Sequence, residues 1–267
     1  VETVVVDHGS TDGTLEAVRR FPAVTLVEQE NLGLAAGWNR GVRETAGEHV
    51  LVLNADAWLV GDGLAQLLAV AARRPRAGWV APRLANPDGS LQPSVRGFPS
   101  VWRLATEYLF LRKLAPRSRA LNAFYGAGFD HASERVVDWT MGACMLVRRA
   151  AIDDVGPFDE EFFLFSEETD WCRRAVDAGW EVVFTPAATC VHVGGASHGG
   201  RLYRENVRGL LRYLRKHDGA RAARRARLLL RVSLRLRGLL FRGERGAIYR
   251  DAAGWLGSGD VDALLRT

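Results

Sequence analysis

Long apolar runs are missing from this 267-residue chain. A helix crossing a bilayer needs roughly 18 to 20 such residues in a row, so no transmembrane segment is expected. The N-terminus carries no basic-then-apolar stretch ahead of a small-residue cleavage site, which argues against secretion. Cysteine is scarce: Cys144, Cys172 and Cys190 are odd in number and far apart. That argues against a disulfide framework and for a reducing compartment, so the expected location is cytoplasmic. Lysine occurs only at Lys113 and Lys216, which leaves arginine with nearly all the positive charge. Repeats and low-complexity linkers are absent too.

What is present is ordinary globular usage, 48% apolar and 25% charged, which excludes a disordered chain. The length suits one large domain, or a core domain with a helical appendage. The net charge of +5 is unevenly spread. Residues 201–245 hold fifteen Lys or Arg against three acids, and the remainder holds twenty-one against twenty-eight. An acidic body with a basic tail implies an anionic partner for the tail. The expected division is a body over 1–200 and a basic amphipathic helical extension over 201–267.

Along the body, β-branched runs at Glu2–Asp7, Ala23–Glu28 and Glu48–Leu53 alternate with helical patterns at Thr14–Arg20, Ala35–Thr45 and Leu64–Arg73. This spacing predicts βαβ units and a mainly parallel central sheet. A strand is expected at Gly78–Ala81, then a proline-rich surface loop over Pro82–Pro99. Beyond it, Val101–Leu114 reads as a helix, Ser118–Glu134 as a loop, and Val136–Trp139 and Ala143–Arg148 as strands. Glu167–Ala178 has helical spacing and stops at Gly179. Two short strands, Glu181–Phe184 and Thr189–Val193, follow.

Ligands of open parallel sheets bind at the carboxyl ends of strands. One such end is the turn Asp7-His8-Gly9-Ser10-Thr11-Asp12-Gly13, which is neither a dinucleotide fingerprint nor a phosphate-binding P-loop. Its carboxylates suit donors on a nucleobase or ribose; equally, Asp7, Ser10 and Asp12 suit turn-shaping and helix capping. A second end carries Asn54-Ala55-Asp56. Asp56 follows an apolar strand, where a carboxylate could help hold a divalent cation on phosphate or serve as a plain loop acid. Glu167 and Glu168 open a helix behind Ser166, a good N-cap, and complement the helix dipole there. The run Phe162-Phe163-Leu164-Phe165 beside them would raise their pKa while the helix N-terminus lowers it, leaving an oriented base as the functional reading. His192 precedes Gly194-Gly195-Ala196-Ser197, where backbone can approach a ligand. Cys190 shares its strand face, but a zinc pair would lack further ligands.

In this order the segments resemble the family 2 glycosyltransferases of GT-A fold, especially their rhamnosyltransferase-like branch. The likeness is carried by VVVDHGSTDGT, ENLGLAAGWNRG, LVLNADAWL and the run VDWTMGACMLVRR…GPFDEEFFLFSEETDWCRRAVDAGW. PRLANPDGSLQPSVRGFPS and VHVGGAS also fit. The resemblance implies a nucleotide-sugar-binding α/β domain that moves a sugar from a nucleoside diphosphate to an acceptor hydroxyl with inversion. It implies that Asp7, Ser10 and Asp12 face the nucleoside, with Asn31, Gly33 and Asn39 in the same pocket. Asn54 and Asp56 take the place of the family's metal-binding acidic motif, with Asp56 as ligand to Mg²⁺ or Mn²⁺ and His192 near metal and diphosphate. Glu168 is the first choice of base and Glu167 the second, while Asp138, Trp139, Gly142 and Ala143 shape the acceptor or sugar side. The donor it suggests is dTDP-rhamnose and the acceptor a glycan or polyprenyl-linked glycan in cell-envelope polysaccharide synthesis. Family members begin with a further strand and helix that this sequence does not show, so the expected fold lacks that first unit. An inactive or incomplete glycosyltransferase-like binding module is the alternative.

In the tail, Tyr203–Phe241 sets leucines among regularly spaced arginines. Such a helix suits an anionic membrane surface, here the inner face of the plasma membrane; the alternative is that its leucines pack on the protein. Nucleic acid is not expected as a partner, because the acidic body would repel phosphates.

Overall fold

The computed structural model describes residues 1–194 and 200–265. Gly195, Ala196 and Ser197 therefore lie outside the described residues. In chain order the elements are β1 (Thr3–Asp7), α1 (Thr14–Arg19), β2 (Val24–Glu28), α2 (Leu34–Arg43), β3 (His49–Leu53), β4 (Ala57–Leu59), α3 (Gly63–Arg73), β5 (Ala77–Ala85) and β6 (Leu91–Gln92). Then come β7 (Val95–Arg96), α4 (Val101–Tyr108), α5 (Arg119–Asn122), β8 (Arg135–Val137), β9 (Trp139–Thr140), β10 (Cys144–Arg148), α6 (Arg149–Val155), α7 (Glu167–Asp177) and β11 (Glu181–His192). Three helices close the chain: α8 (Gly200–Leu240), α9 (Gly243–Trp255) and α10 (Gly259–Leu264). Two compact units emerge, one from Val1–Gln92 with Ser133–His192, the other from Pro93–Ala132 with Val193–Thr267. The segment 93–132 thus joins the C-terminal helices, which do not stand as a unit by themselves.

In the first unit β1 and β2 pair in parallel, Thr3 opposite Val24 through Asp7 opposite Glu28, as a sheet of their own. The larger sheet corrects the mainly parallel expectation. It runs β3-β10-β5-β11-β4, with β6 on β5 and β8 on β11, and within it only β5 and β11 are parallel. A parallel neighbour needs a crossover connection. β10 instead enters after the excursion of residues 93–134 and runs against both β3 and β5.

Two strands run longer than expected, each through a proline. β5 continues through Pro82 to Ala85, and β11 runs unbroken through Pro186. Pro82 lies opposite Thr185, at the edge of the register shift between Thr185 and Thr189. A residue without an N–H is tolerated where the ladder is already interrupted. The sheet's two faces follow the period of two along β5. Val80 and Leu84 pack with Leu67 and Val70 of α3 and with Leu146 and Val183. On the other face Trp79 meets Trp171 at 5.8 Å, Trp171 meets Phe158 at 5.7 Å, and Phe158 meets Trp38 of α2 at 5.0 Å. Each such aromatic pair contributes about 0.5–1.5 kcal/mol beyond its buried area.

In the second unit, Ser100 caps α4 by accepting from the Arg103 N–H at 3.2 Å. The helix expected to reach Leu114 stops at Tyr108, ahead of Phe110 in the left-handed region at φ 60°. The stretch expected as a loop over Ser118–Glu134 holds α5 and a turn of 3₁₀ helix over Ala123–Gly128. Within α8, Gly219 has φ 83° and ψ 170°, so two helices meet at that residue. Arg237 donates to the carbonyls of Tyr108 and Glu107 and lies 4.2 Å over the Phe110 ring. Arg227 similarly ties α8 to Leu256 and Asp262.

Candidate active site

At the end of β1 the Asp7 carboxylate accepts from the backbone N–H groups of Gly9 and Ser10 at 2.9 and 2.8 Å. The Ser10 hydroxyl, then these N–H groups, hold it below the ordinary carboxylate range. Asp12 accepts from Thr14 Oγ1 at 2.6 Å and from the Thr14 N–H at 3.2 Å, and those bonds lower it as well. Both acids are therefore engaged in shaping the turn and staying ionised. His8 from the same turn lies over Gly37 of α2, where a Cβ would stand 2.3 Å from its Nε2.

The entry to α2 is a close fit of backbone on backbone. Asn31 accepts from the Gly33 N–H at 3.2 Å, and the Leu34 N–H donates to the Phe163 carbonyl at 2.8 Å. Gly33 has φ 99°, and a Cβ there would lie 2.5 Å from the Phe163 oxygen. One turn on, Asn39 Nδ2 donates to the Phe158 carbonyl and to Glu160, both at 2.8 Å, and its Oδ1 accepts from the Phe158 N–H at 2.9 Å. Gly33, Leu34 and Asn39 thus converge on the 158–163 segment that leads into α7, with Asn31 bracing the Gly33 N–H.

That segment ends in Phe165 and Ser166, consecutive residues at left-handed φ of 70° and 74°. Non-glycine residues held there cost about 1–3 kcal/mol each and cluster at functional sites. The left-handed turn also corrects the expected cap. Ser166 occupies the N-cap position, but its side chain makes no capping bond, because capping geometry belongs to the extended region of φ and ψ. Glu167 and Glu168 follow. Glu167 is pushed well above the usual carboxylate range, first by burial and then by the charge of Glu168. Glu168 is raised by burial, against the pull of backbone N–H groups including that of Gly142. Oε2 of each is shielded from solvent without a hydrogen-bond partner. Gly142 closes the group: a Cβ there would meet the Trp38 ring at 2.8 Å and the Glu168 Cβ at 3.6 Å. Asp138 and Trp139 lie just upstream on the same stretch of chain, before and within β9.

Next to Gly142, the Ala143 carbonyl accepts from the Asn54 N–H at 3.0 Å. Asn54 begins the turn from β3 to β4. Across from it, β11 pairs His192 with Ala57, which places His192 Nε2 3.4 Å from Asp56 Oδ1. The other ring nitrogen, Nδ1, lies 2.8 Å from Gln92 Oε1. If Nδ1 carries the proton and donates it to that oxygen, the Nε2 lone pair faces the carboxylate. A carboxylate beside an imidazole so oriented from behind fits Mg²⁺ or Mn²⁺. Among the described residues no group of three or more His, Cys, Asp or Glu could hold an ion. The two donors therefore suit a cation shared with phosphate oxygens and water. Cys190 does not join them, being buried with Cys144 in the core beneath the sheet.

A series of close approaches thus runs from His8 to α2, from Trp38 through Gly142 to Glu168, and from Ala143 through Asn54 and Asp56 to His192. Asp7, Ser10 and Asp12 lie beside His8 in the turn at the head of this series. Sequence reasoning gave no role to His8, Trp38 or Gln92. Each sits inside a segment that carried the family likeness, but nothing in the spacing linked Gln92 with a histidine one hundred residues away.

Residues 1–156 match the family model described as glycosyl transferase family 2, and residues 94–243 match one described as glycosyl transferase family group 2. Over 205 residues the chain is 38% identical to the N-acetylglucosaminyl-diphospho-decaprenol L-rhamnosyltransferase of Mycobacterium tuberculosis. That alignment covers 72% of this chain and 66% of the relative, just short of two thirds of its length. Two solved structures are similar in fold. The mannosyltransferase PcManGT from Pyrobaculum calidifontis, in complex with GDP-Man and Mn²⁺, has a TM-score of 0.52 at 22% identity, covering 98% of this chain and 71% of that one. TarS of S. aureus has a TM-score of 0.51 at 16% identity, covering 98% and 44%.

Proposed function

This chain belongs to glycosyl transferase family 2, and from that premise we propose that it transfers rhamnose, with inversion, from dTDP-rhamnose to a hydroxyl of a lipid-linked glycan. The name of the mycobacterial relative supports both the sugar and a polyprenyl diphosphate acceptor. A lipid-linked acceptor places the reaction at a membrane surface, here the cytoplasmic face of the plasma membrane, reached peripherally through the 203–241 helices. No helix among the described residues is long and apolar enough to cross a membrane.

The observation that carries the catalytic reading is the position of Glu168, at the head of α7 and beside Gly142, against which Trp38 also packs. Its carboxylate takes the proton from the acceptor hydroxyl as that oxygen attacks the anomeric carbon. The bond from carbon to the diphosphate oxygen breaks on the opposite face, and the configuration inverts. A raised pKa makes Glu168 a stronger base than an ordinary carboxylate. Glu167, more deeply buried, is the second candidate, and its charge state influences that of its neighbour. Asp7, Ser10 and Asp12 would orient the nucleoside, and Asp138 and Trp139 the acceptor side. Asp56 and His192 would hold Mg²⁺ or Mn²⁺, which when bound offsets the negative charge of the diphosphate.

The test is incubation with dTDP-rhamnose, a polyprenyl diphosphate N-acetylglucosamine and either metal. The expected product is the acceptor enlarged by one deoxyhexose. Transfer only from another nucleotide sugar would change the donor assignment. Failure to bind any nucleoside diphosphate would favour the inactive module.

A further inference from the structure

The leucines of the tail helices divide into a buried set and an exposed set. Leu210, Leu211, Leu214, Leu230 and Leu234 are buried within their own unit. Leu228, Leu239 and Leu240 are 65%, 81% and 72% exposed, and Val232 and Leu236 are about half exposed, at 47% and 50%. Positions 228, 232, 236 and 239 recur at helical spacing and form one apolar stripe on the outer side of α8 after the Gly219 break.

The charge around this stripe has one sign. Between Asp218 and Glu244 the sequence contains eight arginines and no acid. Arg227 and Arg237 are spent on internal bonds, whereas Arg221, Arg224, Arg225 and Arg235 are exposed. At the end of the stripe, α8 and α9 enclose a shallow groove of about 340 Å³ lined by Arg235, Leu239, Arg250, Ala253 and Gly254. Arg250 donates from Nη1 to the Gly238 carbonyl at 2.7 Å, so the exposed Arg235 beside Leu239 is the groove's match for a lipid phosphate above an acyl chain.

We propose that this face docks the protein on an anionic phospholipid bilayer, with the leucine stripe entering the headgroup region and the arginines meeting lipid phosphates. The inference rests on the reading that the acceptor is membrane-borne, and it names the residues that reach the membrane. Leucines at this density would have no partner on a nucleic-acid backbone, and arginines alone would suffice there. An interfacial helix needs both contributions.

The full chain is tested by co-sedimentation with vesicles of phosphatidylglycerol and phosphatidylcholine, and with phosphatidylcholine alone. Wild type is expected on the anionic vesicles, weakly or not at all on the neutral ones, and to be released by salt. Replacing Leu228, Leu236 and Leu239 by Gln should lower vesicle affinity by at least about tenfold, through lost apolar burial. Arg224→Gln with Arg225→Gln should lower it about 25-fold, at roughly fivefold per arginine near an anionic surface. Nucleoside diphosphate binding should be unchanged in both variants, which separates this proposal from the glycosyltransferase reading. Wild-type vesicle binding by the leucine variant would overturn the proposal. So would absent binding to anionic vesicles, stripe-dependent dimerisation, or duplex DNA binding lost only with the arginines.

Discussion

Asn39 closes both ends of its amide on one residue: Nδ2 donates to the Phe158 carbonyl at 2.8 Å and Oδ1 accepts from the Phe158 N–H at 2.9 Å. Phe158 opens the segment that ends at the strained Phe165–Ser166 turn and the acidic pair. Replacing Asn39 by Leu leaves both backbone groups buried without their partner. A loss of roughly 1–3 kcal/mol per unsatisfied group is expected in urea unfolding. Turnover should fall more than donor affinity, because the clamp acts on the approach to Glu168. Loss of nucleotide binding with the fold intact would instead make Asn39 a donor contact.

Gly33 and Gly9 both have positive φ, at 99° and 82°, but only Gly33 faces an obstacle. Gly9→Ala should cost about 1 kcal/mol in backbone strain. Gly33→Ala adds a contact of 2.5 Å with the Phe163 oxygen and should lower the melting temperature further, with loss of turnover. Equal melting temperatures would show that α2 does not rest on Phe163.

The raised carboxyls predict opposite effects on stability and activity. A carboxyl whose folded pKa is raised keeps a proton that the unfolded chain releases. Folding stability then falls as pH rises from the unfolded value, about 4.3 for Glu, towards the folded value. Glu167→Gln removes that penalty. It should raise the urea midpoint at neutral pH, with the gain vanishing near and below about pH 4. A gain that persisted in acid would point to packing instead.

Glu168→Gln should lose turnover by roughly 10²–10⁴-fold while keeping donor binding. In wild type the acid limb of the rate profile should lie above the ordinary carboxylate range, since burial raises Glu168. Turnover like that of wild type in Glu168→Gln would move the base to Glu167 or elsewhere.

Gln92 reaches the proposed cation only through His192. Gln92→Leu should weaken Mn²⁺ binding in the presence of dTDP by roughly 10–100-fold, read by loss of the free-ion paramagnetic resonance signal. Asp56→Asn should weaken it at least as much. Unchanged Mn²⁺ affinity in Gln92→Leu would remove His192 from the ligand set.

Much of this was legible because it is local. The β-branched run into Asp7, the glycine at position 33 and the acids opening α7 each impose a backbone state within a few residues, so strand ends and helix starts could be read directly. Family likeness then assigned roles to the acids and to His192 that spacing alone left open. Tertiary structure decided what depends on residues distant in sequence. Gln92 meets His192 because β6 and β11 both pair with β5, and Trp38 and Glu168 both close on position 142 because Gly142 has no side chain to occupy that space. Sheet direction was equally nonlocal, since a strand's own sequence does not state which neighbour it will oppose. The leucines of the tail make the same point: all carry one hydrophobic signal, and only the packing of α8, α9 and α4 determined which were buried and which were left facing outward.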